Sequence, residues 1–134
     1  MNRKKRPILL LISAFSFILL VILGFNWLQD NILYQFQSFS VTIHNKSDYE
    51  IVSVETGIIK GTSKDIHTKK IKSGETMKIK PKLTLSGEGA IYITYIDSRG
   101  VTSKETVCGY TEYLAGNSKV TISNDKVNII GKCA

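Results

Sequence analysis

The sequence predicts an all-β domain, an antiparallel two-layer sandwich, preceded by a single N-terminal transmembrane helix. Three observations support this fold class. An unbroken apolar run occupies residues 8–25. After residue 38, apolar residues recur at every second position in several segments, which is the period of a half-buried strand. Turn-forming residues separate these segments at intervals of about ten residues, and no segment of helical period follows residue 37.

The apolar run has the length and composition of a membrane span. Fourteen of the eighteen residues 8–25 are Leu, Ile, Val or Phe, and none is charged. A helix of this length spans about 27 Å, close to the hydrocarbon core of a bilayer. With the flanking Asn26, Trp27 and Leu28, the predicted transmembrane helix covers residues 8–28.

The charges on either side of the run predict its orientation. Cations concentrated before a span remain on the cytoplasmic side, and the first charge after it is Asp30. Residues 1–7 are therefore predicted as a cytoplasmic tail, with the remainder of the protein outside the cell membrane. Trp27 is expected at the outer interface, where an indole is stable. The predicted interface anchors are Arg3, Lys4, Lys5, Arg6 and Trp27.

A cleaved secretory signal is the alternative to an anchor. The run exceeds the usual 7 to 15 apolar residues of a signal, and residues 23–27 contain no pair of small residues two positions apart. The sequence therefore favours an uncleaved signal-anchor. Residues 29–37 form either a stalk or an extension of the helix, since Leu28, Ile32 and Phe36 share one helical face.

Residues 38–134 suffice for one domain with its own core. From residue 31 onward, fourteen basic residues against ten acidic ones give a net charge of +4. A lysine-rich segment, residues 60–82, holds much of this excess. It either attaches the domain to anionic lipid or wall polymer, or forms solvated strand edges that resist edge pairing. Its lysines are Lys60, Lys64, Lys69, Lys70, Lys72, Lys78, Lys80 and Lys82.

Alternating apolar residues and turn signals predict individual strands. A hairpin is expected from residues 66–71 and 76–80 around a turn at 72–75. Residues 90–96 are expected as a central strand, joined to 101–107 by the turn Asp97-Ser98-Arg99-Gly100. The other predicted strands are residues 39–44, 49–56, 110–114, 119–123 and 126–130.

Seven to nine short strands in about 100 residues resemble the architecture of an immunoglobulin-like sandwich. The internal Cys, Trp, Cys signature of immunoglobulin domains is missing, because Trp27 lies beside the predicted membrane span. The resemblance therefore covers the architecture of the domain and leaves its topology open.

The two cysteines, Cys108 and Cys133, fall on the side of the membrane where disulfides form. A bridge between them would stabilise the fold by roughly 3.5 kcal/mol in the chain-entropy model. A simple meander of the last three strands would place the two cysteines near opposite ends. The sequence therefore leaves two alternatives, a disulfide or two free thiols.

No catalytic, cofactor or metal site is predicted. A strand-borne Cys108 with His67 as base superficially resembles a sortase transpeptidase, which would imply a Cys-dependent enzyme. However, sortases place Thr directly before the cysteine and Arg on the following strand, whereas Val107 precedes Cys108 and Arg99 is the last arginine. The two histidines, His44 and His67, have no partner at a metal-ligand spacing.

These observations favour a noncatalytic, single-pass membrane protein of the cell envelope whose β domain binds another envelope protein. Its expected partners are the lipid bilayer and an envelope protein. The alternative is a module that attaches to anionic lipid or wall polymer through the lysine-rich segment. Nucleic acid is disfavoured because no aromatic residue is interleaved among those lysines. Four tyrosines either form a partner-binding patch or lie half-buried at sheet ends: Tyr92, Tyr95, Tyr110 and Tyr113.

Overall fold

The computed structural model describes residues 5–31 and 38–134. The chain divides into two compact units, Met1–Tyr34 and Gln35–Ala134. Two of the predicted interface anchors, Arg3 and Lys4, lie outside the described residues. The same holds for residues 32–37, which contain most of the predicted stalk.

Helix α1 covers Lys5–Asn31, so it begins before the predicted span and ends after it. Its 27 residues correspond to about 40 Å of helix. Within it, Leu10–Leu28 has a mean hydropathy of 2.2, and no residue of this stretch is buried in the protein. The helix is therefore long and apolar enough to cross a bilayer.

The second unit is built of β-strands. Within residues 38–134 there are eight strands, in the range predicted from the sequence. They are β1 (Ser40–Asn45), β2 (Ile51–Ile58), β3 (Lys64–His67), β4 (Thr76–Ile79), β5 (Gly89–Asp97), β6 (Thr102–Thr111), β7 (Gly116–Ile122) and β8 (Val127–Cys133).

The strands form two sheets of four, in the orders β4-β1-β7-β8 and β3-β2-β5-β6. All strand pairs are antiparallel except β1 and β7, which run parallel with Thr42 opposite Lys119. The prediction of a wholly antiparallel arrangement is therefore wrong at this pair. A parallel pair needs a crossover connection, and the chain between β1 and β7 passes through the other sheet.

The prediction of β5 as a central strand and of its hairpin with β6 is confirmed. β5 lies between β2 and β6 and pairs with both. In the turn, Asp97 Oδ1 accepts hydrogen bonds from the backbone N–H groups of Arg99 and Val101. Gly100 adopts a left-handed φ of 80°, which glycine reaches without steric cost.

The predicted hairpin of residues 66–71 and 76–80 is wrong. The turn between them exists, since the Glu75 N–H donates to the Lys72 carbonyl. However, β3 and β4 are edge strands of different sheets. Ile71, fully buried, exchanges backbone hydrogen bonds with Ile51 of β2, and the chain then crosses to pair β4 with β1. Alternation alone does not distinguish a hairpin from such a crossover.

The last three predicted strands do not form a simple meander. Residues 110–114 are not a separate strand, because β6 continues to Thr111. The chain then crosses to the other sheet, where β7 and β8 pair as a hairpin.

The inward residues of both sheets form one hydrophobic core. Complete burial of one Ile or Val side chain contributes about 1.5 to 3 kcal/mol, so these residues dominate the stability of the domain. The most deeply buried, none exposed by more than 1%, are Val41, Ile43, Ile51, Val54, Ile71, Ile91, Ile93 and Val120.

Candidate functional site

The apolar side chains of α1 are unusual for a folded protein because they are exposed. Those from Leu10 to Trp27 have fractional exposures between 49% and 71%. Trp27, the predicted interface anchor, is 61% exposed near the C-terminal end of the helix. Lys5 and Arg6 form the first two residues of α1. In water such a surface is unfavourable, whereas hydrocarbon solvates it.

The eight lysines of the lysine-rich segment are distributed over two edge strands and the connections between strands. Only Lys64 and Lys78 belong to strands, and these strands are edges of different sheets. Lys64 pairs with Glu55 at 3.1 Å and Lys70 pairs with Glu50 at 3.0 Å. The remaining six residues lie in connections between strands: Lys60, Lys69, Lys70, Lys72, Lys80 and Lys82.

The structure contains a second basic surface that was not predicted from the sequence. The outward residues of the β4-β1-β7-β8 sheet include Lys78, Lys119 and Lys132, all exposed, and Lys80 continues the alternation of β4. We call these four residues the lysine face. Lys119 and Lys132 are 37 and more residues from the lysine-rich segment in sequence, and only the pairing of β1 with β7 brings them beside it. A periodicity count within one segment cannot detect this arrangement.

Cys108 and Cys133 are joined by a disulfide, with their Cα atoms 6.1 Å apart. Cys108 lies in β6 of one sheet and Cys133 ends β8 of the other, where it opposes Gly116. The bridge therefore connects the two sheets along one side. A simple meander would have kept the two cysteines apart, whereas here β6 and β8 belong to different sheets and the two cysteines meet.

The arrangement of Cys108 and His67 does not bring a nucleophile and a base together. They lie on β6 and β3, the two opposite edges of the β3-β2-β5-β6 sheet. Cys108 Sγ is bonded to Cys133. The other histidine, His44, lies on the β4-β1-β7-β8 sheet. Its Nδ1 atom is 2.7 Å from Oγ1 of Thr76 on the neighbouring strand. Within residues 5–31 and 38–134, no group of three His, Cys, Asp or Glu side chains could hold a metal ion.

The four tyrosines do not share a surface. Tyr95 points into the core, and Tyr92 lies over Gly57, where a Cβ would be 2.6 Å from its hydroxyl oxygen. Tyr92 donates to Glu55 Oε1 at 2.8 Å. This hydrogen bond, with a smaller contribution from Lys64, lowers the pKa of Glu55, and the same hydrogen bond raises the pKa of Tyr92.

Tyr110 and Tyr113 remain exposed, at 55% and 68%. The Tyr110 hydroxyl donates to Glu112 at 2.6 Å and approaches Glu88 at 3.2 Å. The hydrogen bond to Glu112, then burial and the contact with Glu88, raise the pKa of Tyr110 to about 12. We call Glu88, Tyr110, Glu112 and Tyr113 the tyrosine patch. It is an acidic, aromatic surface at the start of β5 and the end of β6.

Asn45 organises the end of the domain at which β1 leads into β2. It is completely buried, and its Nδ2 donates to the carbonyls of Tyr49 and Ile71 at 2.8 and 3.0 Å. Its Oδ1 accepts from the N–H and hydroxyl of Ser47. The sequence Asn45-Lys46-Ser47 matches a glycosylation sequon, but burial leaves no room for a glycan in the folded domain.

Asp97, Arg99 and Tyr49 line a groove of about 340 Å³ between the two sheets. Arg99 stacks over Tyr49, with its guanidinium carbon 3.6 Å from the ring centre, and its Nη2 lies 2.7 Å from Asp97 Oδ2. This hydrogen bond from Arg99, assisted by the N–H groups of Val101 and Arg99, lowers the pKa of Asp97. Arg99 and Asp97 therefore satisfy each other's charge within the groove.

No protein-family model and no curated protein matches this chain. Its structure is similar to that of a protein from Eubacterium rectale determined by NMR. The two are 13% identical, with a TM-score of 0.50, over 73% of this chain and 91% of that one. At this identity the likeness concerns the fold alone.

Proposed function

We propose that this protein is a noncatalytic, single-pass component of the cell membrane whose extracytoplasmic β domain binds another envelope protein. One observation supports this most strongly. The helix exposes its large apolar side chains from Leu10 to Trp27, while the β domain encloses a core made of its own residues. The stretch Leu10–Leu28 is long and apolar enough to span a bilayer, whose hydrocarbon would solvate these side chains.

The charge distribution and the disulfide both support an orientation with the N-terminus in the cytoplasm. Four cations precede the apolar run, which is the pattern of cytoplasmic flanks. The Cys108–Cys133 bridge fits a domain in an oxidising compartment, because thiols in the cytoplasm are kept reduced.

We infer that the two sheets pack as an immunoglobulin-like sandwich. Inward residues of both sheets contribute to one core, and the chain crosses between the sheets after β1, β3, β4 and β6. The parallel pairing of β1 with β7 requires such crossovers, and hairpins alone cannot produce it.

The tyrosine patch is the surface we assign to the protein partner. Tyr110 and Tyr113 expose large aromatic area, and tyrosine is enriched at protein interfaces. Hydrogen bonds to Glu88 and Glu112 hold the Tyr110 ring in place, which lowers the entropy cost of binding. The carboxylates of the patch favour a partner with a basic surface.

The orientation is tested by cysteine labelling in intact cells. In a Cys108→Ala/Cys133→Ala background, the exposed Ser73 is changed to cysteine and treated with a membrane-impermeant maleimide. We expect labelling in intact cells. A matched Asn2→Cys variant should be labelled only after permeabilisation. Labelling of the Ser73→Cys variant only after permeabilisation would place the domain in the cytoplasm and contradict the proposal.

The partner is tested by native gel electrophoresis of detergent-solubilised membranes. The full-length chain should migrate in a complex larger than its 15.0 kDa. The Tyr110→Ala/Tyr113→Ala variant should dissociate from this complex. The control is Ile66→Ala, which removes an apolar side chain of similar exposure, 57%, on the other edge of the same sheet. A monomeric wild-type chain, or equal loss in the control, would refute the assignment.

A further inference from the structure

The lysine face has a composition that differs from that of the other sheet. The outward positions of the β4-β1-β7-β8 sheet are occupied by Lys, Thr, Ser, Asn, one His and one Ile, and among these described positions there is no Asp or Glu. On the outward side of the β3-β2-β5-β6 sheet, by contrast, Glu55 pairs with Lys64 and Lys104 lies 4.0 Å from the Tyr92 ring centre. An acid therefore pairs with one of the two lysines on this sheet, whereas among the described residues no acid pairs with a lysine on the lysine face.

The register places three of the four lysines in two rows. Lys78 and Lys119 both oppose Thr42 on β1, so they are two strands apart, about 10 Å at the spacing of neighbouring strands. Lys132 opposes Asn117, which opposes Ser40, in the next outward row. Rows two residues apart are separated by about 6.7 Å. Within the described residues, none of these lysines has a carboxylate within 4.0 Å.

From this geometry we propose that the lysine face binds a linear polymer whose charges are phosphates. The proposal rests on the extracytoplasmic location proposed above and names a second ligand, distinct from the protein partner of the tyrosine patch. Lysine ammonium groups bind phosphate as point charges without demanding a fixed approach, and their flexible side chains can follow successive charges of a chain. Binding releases the counterions that the polymer holds, which favours association.

The same face fits a bilayer surface less well. Surfaces that enter the headgroup region combine lysines with exposed aromatic or long apolar side chains. Ile130 is the one large apolar residue among the described outward positions of this sheet. The exposed tyrosines belong instead to the tyrosine patch, beside Glu88 and Glu112, whose charge an anionic bilayer would repel.

The test uses the full-length protein in nanodiscs of uncharged phosphatidylcholine and long-chain inorganic polyphosphate as the probe. Dissociation constants are measured by calorimetry between 50 and 300 mM salt. With four contacts to a flexible polyanion, the slope of log K against log salt should be about −3. One lysine contributes about fivefold in affinity at an anionic surface, so Lys119→Gln/Lys132→Gln should weaken binding about 25-fold and reduce the slope to about −1.5.

The control removes the same charge from the other sheet. Lys64→Gln/Lys104→Gln should change the dissociation constant by less than about threefold, because Lys64 is paired with Glu55 and neither lysine lies on the lysine face. Unchanged thermal unfolding of both double variants establishes that each is folded. Equal loss of affinity in the two variants would mean a response to net charge and would refute the proposal.

A second arm distinguishes polymer from lipid. In this arm, vesicles containing about one third phosphatidylglycerol replace polyphosphate as the probe. The protein is again held in uncharged nanodiscs. Vesicle binding that depends on Lys119 and Lys132, without polyphosphate binding, would overturn the proposal in favour of a membrane surface. Absence of both would overturn it outright. Neither result alters the labelling experiment, so failure of this inference is distinguishable from failure of the proposed orientation.

Discussion

The disulfide between Cys108 and Cys133 should be the strongest single constraint on the β domain. It closes a loop with a sequence separation of 25, for which the chain-entropy model gives about 3.5 kcal/mol at 25 °C. Domains of this size have total stabilities of about 5 to 15 kcal/mol. Cys133→Ala should therefore remove a large fraction of the free energy of unfolding. The fold itself should persist, because Thr111 Oγ1 still donates to the carbonyl of Ala134 and Cys133 lies at the margin of the core, whose fully buried Ile and Val side chains remain.

The assay is urea unfolding of the fragment 38–134, which contains every residue of the core, followed by circular dichroism of the β-sheet signal. With a slope of about 1 to 3 kcal/mol per molar urea, the midpoint should fall by at least about 1 M. Because either substitution breaks the same bond, Cys108→Ala/Cys133→Ala should cost little more than Cys133→Ala. Reduction of the wild type should give the same loss. Two outcomes would refute the proposed role of the disulfide. One is that the losses of the Cys108→Ala and Cys133→Ala single variants add up in the double variant. The other is a loss in the free energy of unfolding below about 1 kcal/mol.

Five further changes have outcomes set by local structure. Gly116→Ala should cost more than about 3 kcal/mol, since a Cβ would overlap the Lys132 carbonyl, whereas Gly100→Ala, with a similar φ but open space, should cost about 1 to 2 kcal/mol in the same urea assay. Asn45→Ala should cost about 2 to 3 kcal/mol in urea unfolding, because it removes four hydrogen bonds around one buried side chain. The lowered pKa of Asp97 stabilises the fold above its ordinary pKa of about 3.9 and loses this effect as the pH falls, so Asp97→Asn should flatten the decline in stability between pH 5 and pH 3. In ultraviolet titration one tyrosine should ionise near pH 12, and Tyr110→Phe should abolish that transition.

Local features of the fold could be predicted from the sequence. Residues 90–96 form a dense β-branched and aromatic run followed by an Asp-Ser-Arg-Gly turn, and both the strand and its hairpin are present. The information is local because a tight turn fixes the register of its two strands. The apolar helix was predictable for the same reason, since length and composition alone define it.

Long-range pairing could not be predicted in this way. The turn at residues 72–75 forms as expected, yet the strands on either side belong to different sheets. What directs the crossing is the burial of Ile71 against Ile51, twenty residues earlier in the chain. Apolar alternation in residues 66–71 and 76–80 is the same for a hairpin and for two edges of different sheets, because each strand has one buried face in either case.

The candidate surfaces also differ in how far they depend on long-range strand pairing. The tyrosine patch combines residues close in sequence, Tyr110, Glu112 and Tyr113, with only Glu88 from another strand connection. The lysine-rich segment was visible in the sequence. Two of its charges, however, are neutralised by ion pairs with Glu55 and Glu50. Those acids lie on β2 and just before it, so the neutralisation depends on the packing of β2 beside the segment.

The position of the lysine face follows from hydrophobic packing, whereas its composition does not. In β7 the burial of Ser118 and Val120 forces Lys119 outward, and a register shift of one residue would exchange the two faces. Burial of Val41 in β1 likewise turns Thr42 toward solvent between Lys78 and Lys119. Packing therefore determines that these positions are exposed to solvent. It does not determine their charge, since glutamate would fit at these positions as readily as lysine. The absence of acids among the outward residues is therefore a property that stability does not require, which is why binding to an anionic partner is the property to measure.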